Sequence, residues 1–279
     1  MVTASATAKG QKPRQSKRTP SKKITKGLLG NVLADFIATL VFVFASSTFG
    51  EAALGLEKVG LPPTAAGLGV LVIALVVLDT FNQSVLGEGT LNNPVNSIGF
   101  AAAGQGPFVS HLCRILAQVS GGILGAGGAL YVLPKAWKGT LRPLAQGVKP
   151  GVSLAAGIAC EFSLALLLNF AIFAAIGSQQ KVVGALLPLV ATVILVVAGA
   201  GLTGPSMNPA HAFSWNYFLQ GHDATEHMAV FWVAPLSGAL AAGLLWSLLT
   251  RGPAKKKAQG AKFHPKKNSA ATKRAKKSD

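Results

Sequence analysis

Charge is scarce in this chain, and its placement decides the first question. Only 13% of the 279 residues are charged, against about a quarter in an ordinary soluble domain. The basic residues crowd at the ends. Eight of the 26 Lys and Arg fall in residues 1–26 and eleven in residues 251–279, which leaves seven for the 224 residues between. The net charge of +17 therefore belongs to two tails and not to a basic fold. Cysteine is nearly absent. Cys113 and Cys160 both sit in apolar runs, which excludes a disulfide framework or a metal-ligand spacing and suits small packing residues. A nucleophile–base pair and a phosphate loop are missing too, so no enzyme and no cofactor is expected. His222, Asp223, Glu226 and His227 are too generically spaced for a metal site and read as a solvated loop. The N-terminal tract has no acid before Asp35. It could be a transit peptide, but the like composition of the C-terminal tail favours a cytosolic basic arm. Tails this poor in aromatics suit anionic lipid headgroups rather than nucleic acid, at about 1 kcal/mol per basic residue near the surface.

What the chain has in abundance is apolar length. A helix needs about 20 apolar residues to cross a bilayer. Residues 28–49, 65–81, 108–133, 152–176, 182–202 and 228–249 meet or approach that. Six spans put both tails on one side, and the excess of Lys and Arg places that side in the cytosol. Lys135, Lys138, Arg142 and Lys149 then fall on the opposite face, against the trend. The domain expectation is a tail at 1–26, a membrane domain at 27–250 with repeats 28–133 and 152–249, and a Lys-rich tail at 251–279.

Two stretches, 93–104 and 208–218, are moderately apolar but too short to cross. Each opens with Asn-Pro: Asn93-Pro94-Val95 and Asn208-Pro209-Ala210. Asn is a favoured N-cap and Pro a favoured first helical residue, so each reads as a short helix of about 15 Å, half a bilayer. The segments "ADFIATLVFVFA" and "CEFSLALLLNFA" set Asp35 and Glu161 in matching places. "QVSGGILG" and "PLSGALAA" match as well. Their small residues, Gly121/Gly125 and Gly238/Ala242, allow close helix approach. The chain is thus a duplication of three spans plus one half-helix. An odd number of spans inverts the second copy. The expected fold is an all-α membrane protein of six transmembrane helices and two re-entrant half-helices. The two half-helix N-termini meet near the midplane, each carrying roughly half a positive charge and unpaired N–H groups.

At these residues the chain resembles the aquaporin (major intrinsic protein) family over about residues 28–249. The "LTGPSMNPAHAFSWNY" stretch, the Lys-rich C-terminal tail and the high pI are most like the plant small basic intrinsic proteins. The resemblance implies a passive pore for water or small neutral solutes and a homotetramer in an internal membrane, mainly endoplasmic reticulum, with plasma membrane as the alternative. It also implies that Asn93 and Asn208 line the pore and repel protons and ions, as in aquaporin-type selectivity. Ile73, Val196, Pro205 and His211 then form the selectivity filter, apolar but for a histidine where the family usually has arginine. His211 either faces the pore, becoming cationic in acid, or folds back on a loop carbonyl. Val95, bulkier than the usual Ala, either presses the half-helices apart or packs behind them. Asp35 and Glu161 are implied to scaffold the half-helix loops. Were they proton relays instead, the protein would be a proton-coupled transporter, and a non-conducting scaffold is the other alternative. Lys276 and Lys277 stand fourth and third from the end, matching a dilysine retrieval signal.

Overall fold

The computed structural model describes residues 27–87, 89–134, 137 and 147–250. Both tails, with Lys276 and Lys277, lie outside them. The described chain contains ten α-helices and no strand. In order they are α1 (Leu28–Ser46), α2 (Phe49–Lys58), α3 (Pro63–Phe81), α4 (Pro94–Ala102), α5 (Phe108–Val132), α6 (Leu154–Gly177), α7 (Lys181–Gly199), α8 (Pro209–Leu219), α9 (Ala224–Met228) and α10 (Ala234–Thr250). Single π-turns at Asn82–Leu86 and Ala229–Val233 extend α3 and join α9 to α10.

Among the described residues, six spans are long and apolar enough to cross a membrane: Leu28–Lys58, Pro63–Leu86, Phe108–Val132, Leu154–Gly177, Val182–Gly199 and Ala224–Thr250. The first runs well past residue 49, interrupted at Ser47–Thr48. There three consecutive hydroxyls fold back: Ser46 donates to Val43 O, Ser47 to Phe44 O and Thr48 to Ala45 O. The last span begins before residue 228 because the Asp223 side chain caps Glu226 N at 2.9 Å.

The two short helices start where cap chemistry sets them. Asn93 Oδ1 accepts from Val95 N at 2.9 Å. Asn208 Oδ1 accepts from Ala210 N at 3.1 Å and His211 N at 3.3 Å. Pro94 and Pro209 occupy the first turn, where no N–H is needed.

Packing shows the duplication. α1 lies on α5, and α6 lies on α10 in the same way. Each half-helix then crosses to the other repeat: α4 packs on α10 and α8 on α5. Glycine permits the approach. A Cβ at Gly121 would collide with Phe36 O, one at Gly238 with Phe162 O, and one at Gly243 with Gly99 O. Buried polar residues gather where the spans meet the half-helices and their loops. Asp35, Thr39, Ser97, Gln118, Glu161, Thr203 and Ser214 are fully buried. α3 and α7 keep most of their apolar surface outside.

Candidate functional site

The site is built where the two half-helices begin. The residue before each capping asparagine lies in the left-handed region, Asn92 at φ 44° and Met207 at φ 48°. Asn tolerates that conformation, whereas a Met there costs on the order of 1 kcal/mol or more. The two buried acids hold these turns. Asp35 Oδ1 accepts from Leu91 N at 2.8 Å and Asn92 N at 3.4 Å. Glu161 accepts from Ser206 N at 3.1 Å and Met207 N at 3.0 Å.

The turns aim their carbonyls across the repeat. Asn93 Nδ2 donates to Met207 O at 2.8 Å, and Asn208 Nδ2 donates to Asn92 O at 3.3 Å. Each amide oxygen caps its own helix, and one N–H reaches the opposite loop. An amide nitrogen carries two protons, so each asparagine retains one N–H without a protein partner among the described residues. Two donors therefore stand at the junction of two helix N-termini, whose dipoles favour electron-rich guests and oppose cations.

The acids differ in compensation. Asp35 pairs with Arg114, Nε to Oδ2 at 2.6 Å and Nη2 to Oδ1 at 3.0 Å. It also accepts from Gln118 Nε2 at 2.9 Å. Glu161 has no basic partner among the described residues and takes a third bond from Thr203 Oγ1 at 2.8 Å. The Asp35–Arg114 pairing escaped sequence reasoning. Its only signal was a basic residue inside an otherwise apolar span.

Val95 and Ala210 are fully buried. Val95, in the first turn of α4, packs against Ala165 of α6, Ala239 and Leu236 of α10, and Ile98. Pro94 and Pro209 are buried as well. His211 is 1% exposed. It bonds no loop carbonyl: its Nε2 lies 3.1 Å from Ser46 Oγ, and its ring packs on Phe42 with centroids 5.4 Å apart. Neither Ser46 nor Phe42 was legible as a partner. Pro205 is buried beside Gly199, and Val196 packs on the cluster of Cys160, Leu164, Leu168, Leu195 and Met207. The structure does not bring Ile73 to this set. It stands on an exposed face of α3 at 63%, as does Val77 one turn on at 58%. Because α3 is apolar all round, its sequence marks no inward face.

The loop before the last span is exposed at Asp223, as a solvated loop should be, but its histidines are drawn inward among aromatic rings. His227 is buried, between Phe213 and Phe231. Its Nδ1 lies 2.8 Å from His222 Nε2, and Trp232 Nε1 donates to its Nε2 at 3.1 Å. Glu226 accepts from Val148 N at 2.6 Å.

Six spans, two half-helices from opposite repeats and a paired asparagine junction define a membrane channel architecture. Comparison with known proteins agrees. The family model "Major intrinsic protein" matches residues 22–246, and the chain belongs to that family. It is similar to Aquaporin SIP1-1 of Arabidopsis thaliana, 30% identical over 226 residues, covering 79% of this chain and 92% of that one. It is likewise similar to Aquaporin SIP1-2 of Zea mays, 31% identical over 235 residues, covering 82% and 96%. Among solved structures, the aquaglyceroporin from Plasmodium falciparum matches with a TM-score of 0.59 at 18% identity, covering 79% of this chain and 94% of that chain. That likeness shows the fold. The protein is an integral multi-pass membrane channel for water or small solutes.

Proposed function

We propose that the protein is a passive channel for water and small neutral solutes that excludes protons and ions at the paired asparagines. The observation that carries this reading is the reciprocal bond between the two motifs. It fixes both amides and leaves one N–H on each for a passing molecule. A water there accepts from both, so its own hydrogens point outward. The chain of waters then reverses direction at the junction. Val196, Pro205 and His211 form the filter. Ile73 belongs to it only if α3 turns another face inward.

The acids support a channel over a proton-coupled transporter. Asp35 is held by Arg114, Gln118 and two backbone amides, with no vacant position for a coupled proton. The exposed apolar faces of α3 and α7, with Val76, Val77, Ile194 and Val197, suit lipid or neighbouring copies in a homotetramer. The tail charges support cytosolic termini, and Lys276–Lys277 with the similarity to SIP1-type aquaporins supports the endoplasmic reticulum.

Reconstitution into liposomes tests the reading, with water and glycerol flux measured for wild type, Asn208→Asp and His211→Arg. Asn208→Asp keeps the cap but sets a carboxylate oxygen against Asn92 O, and both fluxes should fall. His211→Arg should lower glycerol flux more than water flux. Wild-type flux linear in gradient is expected. Saturable, pH-driven flux would establish the transporter, and no flux the scaffold.

A further inference from the structure

We infer that Ser46 is the positioning residue of the filter. It accepts the Nε2–H of His211 and leaves Nδ1 as a bare acceptor, so the constriction favours neutral solutes that can donate a hydrogen bond. This rests on the reading of His211 as a filter residue.

One proton decides the tautomer. Ser46 Oγ lies within hydrogen-bond reach of Val43 O at 2.9 Å and His211 Nε2 at 3.1 Å. A hydroxyl has a single proton and can donate it once. The end of α1 decides where it goes. The last turn tightens, with Ser47 N reaching Phe44 O and Thr48 N reaching Ala45 O. The hydroxyls of Ser47 and Thr48 follow the same backward step, to Phe44 O and Ala45 O. Ser46 is the first of this series, and its proton satisfies Val43 O. The contact with His211 then needs its donor on the ring, so Nε2 carries the hydrogen.

The ring has little freedom to exchange its nitrogens. It is 1% exposed and lies against Phe42. Its backbone N–H is bound by Asn208 Oδ1 at 3.3 Å, which ties the filter residue to the motif asparagine. Nδ1 has no protein partner among the described residues. An arginine at this place presents only donors. A neutral imidazole held by Ser46 presents an acceptor. A solute must then accept at Asn93 and Asn208 and donate at His211. Molecules with O–H or N–H groups do both, whereas acceptor-only solutes of the same size find no donor at His211.

The test pairs a spectroscopic readout with a flux ratio. Full-length protein carrying nitrogen-15 histidine is placed in lipid bilayers, and the His211 ring resonances are identified by their loss in His211→Gln. The expected spectrum shows a protonated Nε2 and an unprotonated, pyridine-type Nδ1 at neutral pH. Ser46→Ala should shift that balance. It should also lower the permeability ratio of glycerol, which donates, to trimethylamine N-oxide, a neutral solute that only accepts, by about two- to tenfold, the span of one neutral hydrogen bond. Ser46→Thr, which keeps the hydroxyl, should restore both. A protonated Nδ1 in a conducting wild type would overturn the assignment of Ser46, as would Ser46→Ala with spectrum and ratio both unchanged. Should Ser46→Ala fail to fold, the wild-type spectrum and Ser46→Thr still decide. A wild type with the expected spectrum but no flux of water or glycerol would instead overturn the channel reading, and the selectivity claim with it.

Discussion

Replacing Arg114 with methionine probes the support beneath the first asparagine turn. Arg114 is 8% exposed and Asp35 is 0% exposed. The guanidinium meets both carboxylate oxygens and also donates to Gly89 O. Methionine fills much of the same volume but strands the carboxylate in the membrane interior. Removing one member of a buried pair costs about 3–5 kcal/mol. For a folded unit of this size each kcal/mol corresponds to about 2–4 °C, so the melting temperature should fall by about 6–20 °C. Adding Asp35→Asn removes the stranded charge, and the double variant should recover part of that loss. Glu161→Gln is the control in the second repeat. It breaks no ion pair, but both carboxylate oxygens accept, so the new amide NH2 meets a donor and at least one of the three bonds is lost; it should fall by less than Arg114→Met, by about 1–3 kcal/mol. Intrinsic tryptophan fluorescence in detergent, at one fixed scan rate, measures all four proteins side by side. Water flux in liposomes should fall with stability, because Asp35 holds the amides of Leu91 and Asn92 that aim Asn92 O at Asn208. A melting point for Arg114→Met within about 2 °C of wild type, or a double variant no better than the single one, would refute the reasoning.

Gly238→Ala sets a Cβ against Phe162 O, and α6 and α10 must part; overpacking of this kind costs about 1–3 kcal/mol. Gly69→Ala on α3 meets nothing within 4 Å, so it should be neutral or slightly stabilising, and equal melting of the two variants would contradict the close approach. On the proposed dilysine reading, Lys276→Ser with Lys277→Ser should shift the full-length protein from endoplasmic reticulum to later membranes, measured by fractionation; an unchanged distribution would remove that reading.

Much of the architecture was legible residue by residue. Apolar runs of span length, the Asn-Pro starts and the small residues of paired helices act over one to three turns, so their meaning survives without knowledge of neighbours. The duplication was legible too, since Asp35 and Glu161 precede Phe and an apolar run in both halves. Capping explains why the short helices begin where expected: the Asn side chain bonds amides two and three residues on. Tertiary structure decided the rest. Asn93 finds Met207 across 114 residues, Arg114 finds Asp35 across 79, and His211 finds Ser46 across 165. A composition can say that a charge or an imidazole is buried, but not which partner the fold delivers to it. The outward placement of Ile73 belongs here as well. On a helix that is apolar on every side, only packing chooses which face turns in.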